Sequence, residues 1–93
     1  MDLKIEDNKS KNQFETHVEG KVAIIAYEKD GNTLKLIHTE VPESLEGKGI
    51  ASQMLKKVLT TISDSGYKVD PVCPFVKSYI EKHSEWQSLL KSK

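Results

Sequence analysis

The sequence predicts an α/β (α+β) fold: a mixed, mostly antiparallel sheet with one β-α-β crossover and two main helices. Three observations carry this. Apolar, β-branched runs cluster before residue 42, two stretches of helical periodicity follow, and a short strand pattern, "YKVDPV", separates them. A strand-helix-strand connection after an antiparallel meander requires one parallel pair, because parallel neighbours need a long crossover.

Along the chain, residues 1–11 are mostly polar, with "LKI" able to start a short edge strand. "QFETHV" alternates as a strand, with Phe14, Thr16 and Val18 on one face. "EGK" turns the chain, "VAIIAYEK" is a strand, and "DGN" (Asp30, Gly31, Asn32) reads as a hairpin turn because Asp-Gly supplies positive φ. In "TLKLIHTEV", Leu34, Leu36 and Val41 oppose Lys35, and Leu36-Ile37 breaks alternation, as a bulge would. A helix from about Lys48 to Ser63 has Ile50, Met54, Leu55, Val58, Leu59 and Ile62 on one apolar face, with Gly66 placed for a left-handed cap. The strand Tyr67–Val72 is stopped by Pro71, and Pro74 opens a second helix at a favoured first position. Phe75, Val76, Tyr79 and Ile80 form its buried face; "SEWQSLL" adds a final helical turn, with Trp86 and Leu89 closing over the core. The predicted order is β-β-β-α-β-α, and its parallel pair brings Thr33–Val41 beside Tyr67–Val72.

A chain of 93 residues with 37% hydrophobic residues has room for one domain, 1–93, with one modest core. The formal net charge is zero, which argues against nucleic acid or an anionic membrane as partner. All basic residues are lysines, so an anion site must rest on backbone amides and point charges. No apolar run approaches a membrane span, no apolar leader core opens the chain, and the single Cys73 excludes an internal disulfide. A cytoplasmic monomer is the expectation. His17, His38 and His83 lack metal-ligand spacing, so no metal is expected.

The segment "VPESLEGKGIA" places Gly47-Lys48-Gly49 between strand and helix. Helix-start amides lack intrahelical partners, the helix dipole favours negative charge, and glycines admit close approach, so this is a phosphate cradle in form. The glycines equally serve a tight turn by geometry alone. The parallel pairing sets this turn and Cys73 at the same carboxyl edge of the sheet, where ligands of open α/β sheets bind.

"VPESLEGKGIASQMLKKVL" resembles the acetyl-CoA-binding segment of the GCN5-related N-acetyltransferases, whose signature is Arg/Gln-x-x-Gly-x-Gly/Ala. Gly47 and Gly49 fit the glycine positions; Ser44 stands where Arg or Gln is usual and Glu46 where Arg is frequent. Both departures remove positive charge and imply weaker hold on a pyrophosphate. Together, "VPESLEGKGIASQML" and "CPFVKSYIEKHSEW" resemble, over nearly the whole chain, a subfamily of minimal acetyltransferase-like domains.

The resemblance implies a GNAT-like fold and acetyl-CoA as cofactor. It implies pantetheine pairing along His38, Thr39, Glu40 and Val41, and pyrophosphate held by amides of Gly47, Lys48, Gly49, Ile50 and Ala51. Glu46, Ser52, Phe75 and Lys82 complete the expected cofactor-binding set, and Lys48 is the favoured phosphate partner ahead of Lys56, Lys57 and Lys82. Tyr79 corresponds to a tyrosine that protonates the leaving thiolate; as a residue at helical spacing it is equally a core aromatic. Cys73 reads either as a nucleophile that relays the acetyl group, its pKa lowered by the helix start, or as a small buried hydrophobe. His38, Glu40 and Glu43 are further candidate bases, or solvated surface groups. The usual helices between the first two strands are missing, which implies an open acceptor side suited to an amine on a protein. The expected function is N-acetyl transfer to an unidentified amine, directly or through Cys73. The rival is a non-catalytic acetyl-CoA or CoA sensor or carrier; a plain interaction module explains neither motif.

Overall fold

The computed structural model describes residues 3–90. Five strands, β1 (Glu6–Asn8), β2 (Gln13–Val18), β3 (Lys21–Asp30), β4 (Thr33–Glu40) and β5 (Lys68–Pro71), form one sheet in sequence order. The first three pairings are antiparallel and β4–β5 is parallel. Two helices, α1 (Ile50–Asp64) and α2 (Pro74–Lys82), follow β4 and β5, and short 3-10 turns occupy Glu43–Leu45 and Ser84–Leu89.

The mixed sheet and its crossover match the sequence reading; the strand count and several boundaries need correcting. The first strand is Glu6–Asn8, not "LKI": Leu3 is buried in the core and Ile5 packs against it, so these apolar side chains serve the core from irregular backbone. The order therefore gains one strand. Helix α1 starts at Ile50 rather than Lys48, because Gly49, at φ +72°, is its left-handed N-cap. The strand before it ends at Glu40, short of Val41, and β5 loses Tyr67 and Val72.

Local chemistry explains the joints. Glu19 and Gly20 both take positive φ, the twist that a two-residue hairpin between β2 and β3 requires. The expected irregularity at Leu36-Ile37 is real: Tyr27 pairs with Leu36 and Ala26 with His38, leaving Ile37 as an extra residue on β4. Gly66, at φ +79°, ends α1, where the Gly66 amide donates to Ser63 and the Tyr67 amide to Ile62, a Schellman arrangement.

Phe14, Ala23, Ile25, Tyr27, Leu34, Leu36 and Val69 lie on one sheet face and bury against the α1 stripe Ile50, Met54, Leu55, Val58, Leu59 and Ile62 and against Val76, Tyr79 and Ile80 of α2. Residues of the opposite face, such as Glu15, Ile24, Ala26, Lys35 and His38, are half-buried or exposed, so both helices cover the same side. Leu89 is buried and Trp86 packs on the core as expected, and Leu90 makes a parallel bridge to Val69 beyond the turn. Among the described residues no helix is long and apolar enough to cross a membrane.

Candidate functional site

The β4–β5 ladder runs from Thr33↔Lys68 to Leu36↔Pro71 and then stops. One further bond, from the Cys73 amide to the Leu36 carbonyl at 2.8 Å, marks where the strands part. Beyond it β4 continues through Glu40, paired with β3 on one side and unpaired towards β5. The bulge at Ile37 and the turn of the chain into α2 at Pro74 together open this gap.

A cleft of about 330 Å³ sits at its mouth, lined by Thr39, Val41, Leu45, Glu46, Gly47, Gly49, Ile50, Ala51, Ser52 and Phe75. Its wall includes the start of α1. The first amides of that helix find no carbonyl within it, and no side chain caps them. Gly47 and Gly49 have φ of +82° and +72°, and a Cβ on Gly47 would meet nothing within 4 Å. Both glycines are required by backbone conformation, and at Gly47 the turn also leaves open space. The cleft's one ionisable lining group is Glu46, an acid at the place of negative-charge preference.

His38, Glu40, Lys48 and Lys82 do not line the cleft. The Lys48 ammonium donates instead to Glu19 Oε2 at 2.8 Å, tying the glycine turn to the β2–β3 hairpin. The His38 imidazole lies 3.6 Å from the Glu40 carboxylate, both well exposed. Leu45 is a lining residue that the sequence reading passed over. Its signal was the apolar side chain inside an otherwise polar "ESLEGKG", and it is 1% exposed.

Cys73 is the N-cap of α2, free and 7% exposed. Its Sγ lies 3.6 Å from the Thr39 hydroxyl, so it sits directly behind a residue of the cleft wall. Burial pushes the thiol pKa up; the amides of Val76 and Phe75 at the helix start and the Thr39 hydroxyl and backbone outweigh this and leave it below the ordinary value. No formal cap hydrogen bond to the side chain is made, so the helix amides act mainly as nearby dipoles. Among the described residues no group of acids, histidines and cysteine is placed to hold a metal ion.

Tyr79 stands apart from the cleft. Its ring stacks on His83 at 4.0 Å and 17°, and tilts against Phe75 at 6.5 Å. Burial and the charge of Glu85 raise its pKa, partly offset by a hydrogen bond with the Trp86 side chain. His83 Nδ1 is 2.8 Å from the Tyr79 carbonyl, which locks the aromatic group to the end of α2.

Comparison with known proteins decides the family. The profile of the GCN5-related N-acetyl-transferase family matches residues 13–89, most of the chain. This chain belongs to the GCN5-related N-acetyltransferases. It is 29% identical over 90 residues to protein NATD1 of Danio rerio, covering 94% of this chain and 82% of that one. With human protein NATD1 it shares 27% over 84 residues, covering 87% and 74%. Among solved structures it is similar to a GCN5-like protein of Staphylococcus aureus determined by NMR, with a TM-score of 0.73 and 28% identity over 98% of this chain and 90% of that one. The five-stranded mixed sheet is thus the GCN5-related fold. Members of the family generally use acetyl-CoA as cosubstrate. The uncapped α1 amides, the open space at Gly47 and the unpaired β4 edge fit an extended, anionic thioester; Glu46 is the feature set against it.

Proposed function

We propose that this chain binds acetyl-CoA in the cleft beside Gly47–Ser52 and transfers the acetyl group to an amine. The observation that carries the reading is the meeting, in one cleft, of uncapped helix amides with a strand edge left unpaired by the parting of β4 and β5. The amides of Gly49 to Ser52 take the pyrophosphate, where the helix dipole favours negative charge. The backbone from His38 to Val41, along the end of β4 and one residue past it, pairs with the amide groups of the pantetheine arm as an added strand would. Phe75 and Leu45 supply apolar wall.

With the coenzyme laid this way, its thioester lies in the gap beside Thr39 and Cys73. An acceptor nitrogen attacks the carbonyl carbon, the C–N bond forms, the C–S bond breaks, and the coenzyme leaves as thiolate while the amine loses a proton. In the relay version the Cys73 thiolate first takes the acetyl group in a thioester exchange and then yields it to the amine. The lowered thiol pKa and the Thr39 contact support the relay. The reading assigns no step to Tyr79, whose hydroxyl faces Trp86, so Tyr79→Phe should turn over at the parent rate.

A second reading, a coenzyme sensor or carrier without turnover, draws on Glu46 in the cleft wall and on Lys48 being held by Glu19. Incubation with acetyl-CoA followed by mass spectrometry separates the versions. An acetyl adduct on Cys73 that amines discharge supports the relay. Turnover preserved in Cys73→Ala with no adduct on the parent leaves direct transfer. Binding without thiol release against a panel of amines and peptides leaves the sensor.

A further inference from the structure

We propose that the bare face of the sheet is the docking surface for the acceptor, and that the acceptor is a basic, lysine-bearing polypeptide segment. The inference deepens the acetyl-transfer reading and rests on it for the fate of the lysine.

Both helices cover one side of the sheet, so the other side is an open, unpartnered surface. The cross-strand register places Glu6, Glu15, Glu28, Glu40 and Asp70 on this side. The lysines that the register sets among them are Lys35, whose ammonium lies 4.0 Å from the Asp30 carboxylate, and Lys68, whose ammonium donates to the Ser88 carbonyl, so acids outnumber lysines on this face. The chain as a whole carries no formal net charge, so this acidic face implies segregation. The helices hold the converse, with Lys56, Lys57, Lys77 and Lys82 against few acids. Such a field attracts and orients a basic partner, and disfavours nucleic acid or anionic lipid on the same surface.

The face is also built to hold extended chain. Ile24 and Ala26 form its half-buried centre, between the Glu15 and Glu40 positions on one row and Gln13 and His38 on the next. The Glu15 carboxylate is held by the side-chain amides of Asn8 and Gln13, and these hydrogen bonds lower its pKa and keep it charged. The surface is continuous with the gap in the sheet: Ile37 and Val72, 37% and 53% exposed, stand where β4 and β5 part. A lysine from a segment on this face thus reaches the gap from the side opposite the helices, while the coenzyme enters along α1. A lysine's aliphatic stem suits the apolar rim and its ammonium the acids around it.

The test uses the whole labelled chain, a lysine-rich peptide and a glutamate-rich peptide of equal length. Without coenzyme, the lysine-rich peptide should shift amide resonances at Glu15, Ile24 and Glu40, more weakly as salt rises. Combined Glu15→Gln, Glu28→Gln and Asp70→Asn should raise its Kd roughly tenfold, since three charges on one sheet face, one exposed and two half-buried, each contribute modestly. The coenzyme Kd should stay within about twofold, and an unchanged far-UV spectrum would show the variant folded. Shifts confined to the helix side, equal binding of the glutamate-rich peptide, or an unchanged Kd in the folded variant overturns the docking surface. Peptide binding with a silent coenzyme titration supports the surface and overturns the acetyl-transfer reading instead; coenzyme binding with no peptide binding does the reverse.

Discussion

At the scale of single residues, Cys73 and Thr16 make the sharpest demands. Cys73 is buried yet has a lowered pKa, a combination that requires nearby dipoles to exceed the cost of desolvation. The thiolate should therefore appear at lower pH than in the unfolded chain. The alkylation rate of Cys73 against pH checks this: its midpoint should fall below that of the urea-unfolded control and move upward in Thr39→Val. Thr16 is fully buried on β2, opposite Ala23 of β3 and just past the β1 pairing, and its hydroxyl has no hydrogen-bond partner. An unpaired buried hydroxyl costs about 1–3 kcal/mol, so Thr16→Val, close to it in shape, should raise stability by roughly 1 kcal/mol in urea unfolding. Both residue types were visible in the sequence; their environments were not. Thr16 was placed on the inward face by alternation, but whether a partner would meet its hydroxyl depends on strands brought from elsewhere. Lys48 shows the same limit: its position between two glycines says nothing of Glu19, 29 residues away in sequence, which holds its ammonium.

At the scale of elements, the strong periodicities were legible and the short, mixed ones were not. The six-residue apolar stripe of α1 could only be a buried helix face, and Gly66 and Pro74 marked its end and the next helix's start because few residues suit those conformations. The strand β1 escaped because "EDN" has no apolar face; it exists through pairing with β2 and through Tyr27, whose hydroxyl donates to Asp7 at 2.6 Å. This tie has a pH signature. Burial and the Asp7 carboxylate push the Tyr27 pKa up to about 12, from an ordinary value of 10.0. A raised folded-state pKa means the stabilisation is complete below pH 10 and is lost as pH rises from there through about 12. The stability gap between parent and Tyr27→Phe, measured by denaturant unfolding, should accordingly narrow across that window. A constant gap would show that ionisation of the Tyr27 hydroxyl does not loosen its tie to Asp7.

At the scale of the whole molecule, a one-sided architecture sets what each surface does. Sequence alternation gave the polarity of the outer face, but the acidic bias of that face emerges only when register aligns Glu15, Ile24 and Glu40 in one row. The candidate site was legible in part for the same reason: the glycine turn announces itself locally, while the gap behind it comes from the parting of two strands over thirty residues apart in sequence. One continuous core reaching from Leu3 to Leu89 predicts one cooperative unfolding transition, with Trp86 fluorescence and far-UV dichroism coincident in denaturant. Separate transitions would divide the chain into independent units. Most direct for the central claim is titration of the isotope-labelled chain with acetyl-CoA, followed by amide resonances. Shifts should gather at Thr39–Val41, Glu46–Ser52 and Phe75; resonances unmoved there at saturating coenzyme would contradict the account.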